Sequence, residues 1–394
     1  MKALEGIRVL DLSRILAGPY LGMMLGDYGA EVIKIEQPVS GDGTRKWGPP
    51  WVGEQAAYFF SANRNKKSLT LDLKSEDGLK ILHQLLETAD VLIENFKVGG
   101  TAKMGLDYET LAKKYPQLIY ASITGYGQTG PDKNKPGYDA MIQAQGGIMS
   151  ITGPENGMPH KVGVAVVDVT TGLYATTAVL AALNHRHTTG RGQHVDVALL
   201  DSQVGWLVNI AQNYLANGET PGRYGNAHPS LVPYETFKTA DSYIVLAIGS
   251  DEQFRKFCIV TDREELWADV RFQSNQGRVN NREELLSFVR PILTTRKSSD
   301  WLKTFVEINI PAGPINTIDT TLEMEQVKAR KMVQTIEHTT EGDIKILGPV
   351  PKLSETPAEI FLPPPALSEH SSEILLELGY TSTEIKKLQK EGTI

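Results

Sequence analysis

One cysteine in 394 residues, Cys258, leaves no internal disulfide and no cysteine metal cluster, and it suits a reducing compartment. The opening residues Met1–Gly6 lack the long apolar run of a signal peptide, so a cytoplasmic protein is expected. Positive charge is also short. The net charge is −7, which argues against general nucleic-acid coating and against a basic membrane-surface protein. A local basic pocket for an anionic ligand stays open. One stretch, Val162–Leu183, is apolar enough to test as a membrane span. It carries Asp168, Thr170, Thr171, Gly172, Thr176 and Thr177, so a buried core helix is expected instead. There is no internal repeat, no Walker loop, no G-x-S-x-G elbow and no His-Glu-x-x-His motif, and the eight histidines show no metal spacing.

What remains is an ordinary globular mixture, 41% hydrophobic and 22% charged, in a chain too long for one ordinary core. The first half alternates β-rich and helix-like segments. Ile7–Leu12, Glu31–Ile35, Leu69–Leu73, Val91–Glu94 and Leu118–Thr124 read as strands, and Ala17–Tyr28 and Gly78–Ala89 as helices. Repeated strand–helix–strand units imply a doubly wound α/β sheet with ligands at the carboxyl ends of its strands. Past Asp201 the spacing predicts a helix over Gln203–Leu215 and a Gly/Pro/Asn-rich loop over Asn217–Pro233. A smaller α+β region follows, with a strand at Tyr243–Ile248 and helices near Asp251–Val260, Arg282–Leu293 and Ser299–Ile308. From Ile344 to Pro365 the chain is proline-rich and reads as an extended connection before two closing helices, Ser371–Leu378 and Thr383–Glu391.

Three features could carry chemistry. Gly125, Gly127 and Gly130 satisfy G-x-G-x-x-G after a strand, but Pro131–Gly137 follows as a loop where a nucleotide site needs a helix. Nicotinamide binding is therefore disfavoured. Asp168 lies between an extended run, Val162–Val167, and a long helix expected over Val169–His187. It can be an N-cap. It can equally be a carboxylate kept ionised by the helix end and free to attack an acyl carbon, with Gly172 leaving room for the ligand. His185 and His187, beside Arg186 and Arg191, suit the C-terminal end of that helix. The cations Arg64, Lys66, Lys67, Lys74, Lys97 and Lys103 form either a solvated face or a site for a phosphate-rich ligand.

Taken in order, GIRVLDLSRILAGPYLGMMLGDYGAEVIKIEQPVSGD, NRNKKSLTLDL, VLIENFKVGG, MGLDYE, GYGQTGP, GYDAM, DVTTGLYA, TGRGQHVDVALLD and PAGPIN resemble the family III CoA-transferases, the CaiB–BaiF family, over essentially the whole chain. ITGPENG and AHPSLVPYETFKT are most similar to the succinyl-CoA:dicarboxylate branch typified by succinate–hydroxymethylglutarate CoA-transferase. The resemblance implies a CoA-transferase with no permanently bound cofactor, whose substrates are CoA esters and small carboxylic, here dicarboxylic, acids. It places the nucleophile on Asp168, with Tyr138 and Asp139 near the reacting carbonyl. CoA contacts fall on Arg14, Leu73, Lys74, Asn95, Phe96, Lys103 and Met104, and a substrate loop on Gly225, Asn226, Ala227, His228 and Pro229. Oxyanion donors are expected from that loop and from the helix start after Asp168. Leu16, the Gly225–Pro229 segment and the Gln37-Pro38 pair depart from the formyl-CoA transferase pattern, which disfavours formyl-CoA and oxalate.

The alternatives are an α-methylacyl-CoA racemase and a non-enzymatic CoA-binding subunit. The racemase branch carries a histidine base where this chain has Tyr138, and an unperturbed tyrosine, at about 10, is a poor base at neutral pH. The binding subunit has no need of Asp168. The implied architecture is a large Rossmann-like domain, residues 1–200 and 335–394, whose parallel sheet is formed from both chain ends. A linker at 201–224 joins it to a smaller α+β domain with its return linker at 225–334. Family members form interlocked homodimers, so a homodimer burying well over the usual ~1,600 Å² is expected, with no nucleic-acid or membrane partner.

Overall fold

Residues of the first strand, β1 (Arg8–Asp11), point alternately to two apolar layers: Val9 into one and Leu10 into the other. The same alternation runs through the rest of its sheet. In chain order the elements are α1 (Ala17–Asp27), β2 (Glu31–Glu36), β3 (Lys67–Thr70), α2 (Glu76–Leu86), β4 (Val91–Glu94), α3 (Tyr108–Lys114), β5 (Ile119–Thr124), α4 (Asp139–Gln145), α5 (Val166–Thr189), β6 (His194–Ala198) and α6 (Leu199–Gly205). The computed structural model describes residues 1–394, which divide into two compact units. One comprises Met1–Ile148, Val162–Ala216 and Glu325–Ile394, the other Met149–Lys161 and Asn217–Met324.

In the first unit the six strands are all parallel, in the order β3-β2-β1-β4-β5-β6. The order reverses between β1 and β4, so a crevice opens beyond the carboxyl ends of these two strands. Helices α1 and α5 cover one face; α2, α3 and the helices Ser371–Glu377 and Ser382–Lys390 cover the other. The expectation of a sheet built from both chain ends is corrected: every strand of this six-stranded sheet comes from residues 8–198, and the far end adds helices and a separate hairpin. Proline explains this, because Pro349, Pro351, Pro357 and Pro363–Pro365 lack the N–H groups that a central strand needs. That segment is tied instead through Asn65, whose Oδ1 accepts the N–H groups of Phe361 and Leu362 at 2.9 and 3.0 Å. A hairpin of Val333–His338 with Gly342–Leu347, which the sequence reading passes over, packs Ile344 and Ile346 on Phe59 and Phe60.

Helix α5 begins three residues earlier than expected, at Val166. It is the one helix long and apolar enough to cross a membrane, and its buried face, including Thr171, Gly172, Ala175 and Val179, packs on α1. Gly172 belongs to this contact. A Cβ there would lie 2.9 Å from the Ala17 carbonyl oxygen and 3.1 Å from the Tyr20 ring, so its smallness serves helix crossing and not ligand approach. Gly172→Ala is expected to destabilise the fold. Overpacking against a backbone carbonyl costs about 1–3 kcal/mol, more than the roughly 0.5–1 kcal/mol that alanine gains in a helix. Urea unfolding of the two proteins measures the difference, and an unchanged or higher midpoint would refute the packing argument.

The expected helix Gln203–Leu215 is broken into α6 and a second helix, Val208–Asn217, where the chain turns through Val208 at φ +41°. The second unit holds a three-stranded antiparallel sheet of Tyr234–Lys238, Tyr243–Ala247 and Ala312–Pro314. Its core includes Phe254, Phe257, Trp301 and Phe305 from helices Asp251–Val260 and Ser298–Glu307.

Candidate active site

The loops after β1 and β4 are stitched together at the crevice. The Arg14 N–H donates to Asn95 Oδ1 at 3.0 Å, and Asn95 Nδ2 donates back to the Arg14 carbonyl at 2.7 Å. The Arg14 guanidinium lies 5.5 Å from the centre of the Phe96 ring, and the Phe96 N–H is held by Glu94 Oε2 at 2.8 Å. Between Arg14 and Leu16 the backbone is strained. Ile15, β-branched, sits at φ +75°, which costs of order 1–3 kcal/mol unless its surroundings impose it. They do so through Asp42, whose two oxygens lie 3.3 and 3.2 Å from the Ile15 N–H. Asp42 is paired with the fully buried Lys34 at 3.0 Å, and Lys34 also donates to the Ser13 carbonyl.

Two cavities meet over this loop. The larger, about 650 Å³, is lined by Arg14, Leu16, Asn95, Phe96, Tyr138, Asp139 and Asp168, among others. The smaller, about 270 Å³, is lined by Leu73, Lys74 and Met104, and shares Arg14 and Phe96 with the first. Most of the sequence-predicted residues are therefore brought onto one continuous groove. Lys103 is not: it is exposed on the turn Ala102–Met104 and lines neither cavity. Gly225, Asn226, Ala227 and His228 belong to the second unit, where Gly225 takes φ +59° and Arg282 Nη2 donates to the carbonyls of His228 and Pro229, both at 2.9 Å.

The basic run divides. Arg64 is buried against Asp27, with Nε 2.9 Å from Oδ1, and Lys66 Nζ donates to Asp11, Pro19 and Asn63 at 2.8–2.9 Å. Lys67 pairs with Glu31 and Glu373. Of the two readings left open for the run, the phosphate site is not met at these three, since acidic partners within the fold already hold their charges, and the solvated face is not met at the buried Arg64 and Lys66. Of the six cations, Lys74 and Lys97 line the groove.

Asp168 stands in the first turn of α5 and its side chain caps nothing. The cap comes from outside the helix. Asp139 Oδ1 accepts the N–H groups of Val167 at 2.8 Å and Asp168 at 3.4 Å, while its Oδ2 accepts from Gln143 Nε2 at 2.7 Å. The Val169 N–H is bound to the Ala165 carbonyl, so this helix start offers no free oxyanion donor, contrary to expectation. Burial raises the Asp168 carboxyl to about 7, with the neighbouring Asp139 charge as the second cause. Burial and the Asp139 charge thus both oppose the ionisation that the helix end was expected to favour. A half-buried, weakly hydrated carboxylate facing a groove is suited to nucleophilic attack.

The chain matches the model of CoA-transferase family III over residues 4–371. It belongs to that family and is a CoA-transferase. Over 355 residues it is 45% identical to the succinyl-CoA:glutarate CoA-transferase of Homo sapiens, covering 90% of this chain and 81% of the relative. It is 48% identical over 345 residues to a succinate–glutarate CoA-transferase of Agrobacterium fabrum, covering 85% of each. The crystal structure of a CAIB/BAIF family protein from Brucella suis superposes with a TM-score of 0.86 at 45% identity, covering 96% of this chain and 99% of that one. The family resemblance drawn from the motifs is borne out.

Among the groove residues of this CoA-transferase that escape sequence reasoning are Trp47, Lys133 and Lys135. Trp47 comes from the Gly-Pro-Pro segment after β2 and packs edge-on against Tyr58, with centroids 5.1 Å apart. Lys133 and Lys135 come from the loop that follows the misleading glycine pattern, where the interrupted nucleotide motif was the only available signal.

Proposed function

We propose that this CoA-transferase moves CoA from succinyl-CoA, or a related dicarboxyl-CoA, to a free dicarboxylic acid, with glutarate the first acceptor to test. The reading rests on one observation: Asp168, with no hydrogen bond to its carboxylate and a raised pKa, lines the groove that also carries Arg14, Asn95 and Phe96. The names of the human and bacterial relatives supply the acids. Lys133, Lys97 and Arg14 line the same groove and offer a counter-charge for a second carboxylate. Leu16 gives it an apolar wall, in keeping with acids longer than formate or oxalate.

In the proposed sequence an Asp168 oxygen attacks the thioester carbonyl, the C–S bond breaks, and CoA leaves as thiolate. The thiolate attacks the aspartyl carbonyl of the mixed anhydride and expels the donor acid as its carboxylate, leaving an aspartyl-CoA thioester. The acceptor carboxylate then attacks that thioester, and the released thiolate takes the acceptor acyl group and restores Asp168. Leu73, Lys74 and Met104 hold the nucleotide end of CoA, and Asn95 and Phe96 its pantetheine arm. Tyr138 and Asp139 act beside the reacting carbonyl. The same reading treats the first unit as the CoA-binding domain and the second as a smaller α+β domain, in a cytoplasmic, interlocked homodimer. Exposed Leu173 and Tyr174 on α5, Val204 on α6, Trp206 just after it and Leu215 on the following helix support an intersubunit face.

A panel of acyl-CoA donors crossed with succinate, glutarate, hydroxymethylglutarate, malate, citramalate and oxalate, read by mass spectrometry of the CoA esters, tests the assignment. Succinyl-CoA with glutarate is expected to lead. Oxalate as the best acceptor by a wide margin would move the chain to the formyl-CoA branch, and deuterium washed into an α-position without transfer would make it a racemase.

A further inference from the structure

Gln143 lines neither cavity, yet it is fully buried and its amide is used at both ends. Nε2 donates to Asp139 Oδ2 at 2.7 Å, and Oε1 accepts the N–H of Val162 at 2.8 Å. Gln143 and Asp139 are four residues apart on α4 and so share a helix face. Val162 lies four residues before the start of α5. One side chain therefore ties α4 to the segment leading into the helix that carries Asp168, and it fixes the carboxylate that caps that helix.

We propose that Gln143 is a positioning residue for the nucleophile: its amide locks Asp139 across the amino end of α5, so that Asp168 enters the groove in one fixed orientation. The chemistry at this position is specific. The contact needs a donor toward a carboxylate and an acceptor toward a backbone N–H, and an uncharged amide supplies both. A methionine of similar volume supplies neither. A glutamate keeps the acceptor but turns a second carboxylate against Asp139, beside Asp168. With both its oxygens engaged, Asp139 cannot swing away from the helix start without breaking a charge-assisted bond in a partly buried place.

The proposal rests on Asp168 as the nucleophile, and the test separates the two. Gln143→Met, Gln143→Glu, Asp139→Asn, the Gln143→Met/Asp139→Asn double variant and Asp168→Asn are compared as full-length protein. The measurements are kcat, KM for succinyl-CoA, thermal midpoint, and the single-turnover rate at which CoA becomes attached to Asp168 and sensitive to hydroxylamine. A misplaced reacting group costs up to about 100-fold, so Gln143→Met is expected to lower kcat and the attachment rate by roughly 10- to 100-fold. KM for succinyl-CoA should stay near the wild-type value, because the CoA contacts lie on the β1 and β4 loops. The double variant should be no worse than the poorer single variant, since both act through one contact. A lower thermal midpoint with unchanged kcat, or additive losses in the double variant, would make Gln143 an ordinary structural residue and overturn the proposal. If Gln143→Met does not fold, Gln143→Glu decides, and a wild-type kcat there overturns it equally. Transfer surviving in Asp168→Asn would instead remove the nucleophile assignment itself.

Discussion

Asp168→Asn should abolish CoA transfer, by at least ~10³-fold in kcat, while making the protein more stable above neutral pH. Asparagine keeps the shape of the side chain but has no carboxylate to form an anhydride. Binding of CoA esters should survive, because Arg14, Asn95, Phe96 and the smaller cavity are untouched. The gain in stability follows from the shift of the Asp168 carboxyl, from 3.8 to about 7. An acid raised on folding is harder to ionise in the native state than in the unfolded chain, so its ionisation favours unfolding. The penalty is absent below pH 4, where both states are protonated, grows between pH 4 and 7, and is full above pH 7. Allowing for solvent reaching a half-buried carboxylate, its removal is worth about 1–2 kcal/mol.

Thermal midpoints of the two proteins should therefore coincide near pH 4 and separate by pH 8, with the asparagine variant higher. The same titration sets the wild-type rate. At limiting CoA ester it should fall about tenfold per pH unit below 7, as the attacking carboxylate is protonated. Equal midpoints at pH 8 would mean the carboxylate is not desolvated. More than a few per cent of residual transfer would mean that it is not the nucleophile.

Strands β4 and β5 and helix α2 are legible because their signals are local: unbroken apolar runs for buried parallel strands, and a single apolar face at helical spacing. The start of α5 is not, since its cap is Asp139, some 28 residues earlier in the chain, and no residue beside Val166 announces it. The groove divides in the same way. Asp168 stands out as a carboxylate among apolar neighbours, and the family motifs carry Arg14, Asn95 and Phe96. Trp47, Lys133 and Lys135 reach the groove from loops without periodicity, where only the fold decides which way a side chain points. Charge misleads most. A run of arginine and lysine looks alike whether it faces phosphate or a buried aspartate, and the partners Asp11 and Asp27 lie 55 and 37 residues away.

That ambiguity is resolved by Lys66→Met, which should destabilise the fold by about 3–5 kcal/mol without weakening CoA-ester binding in the folded protein. Lys66 and Asp11 are both fully buried and paired at 2.9 Å. Burial drives the Lys66 ammonium down to about 8, with the Asp11 charge holding it up against a larger fall. Asp11 also accepts the Ser13 N–H at 3.0 Å, at the base of the loop that carries Arg14 and Ile15. Methionine fills the space of the lysine stem but leaves Asp11 with a reduced counter-charge, and the Pro19 carbonyl and Asn63 amide oxygen without their donor. The cost is that of an uncompensated buried charge and not the net worth of the pair, so replacing both partners should recover much of it. Lys66→Met with Asp11→Leu is expected to unfold at a higher urea concentration than Lys66→Met alone. A phosphate-binding lysine would behave in the opposite way: its loss would raise KM for succinyl-CoA at least tenfold and leave the urea midpoint where it was.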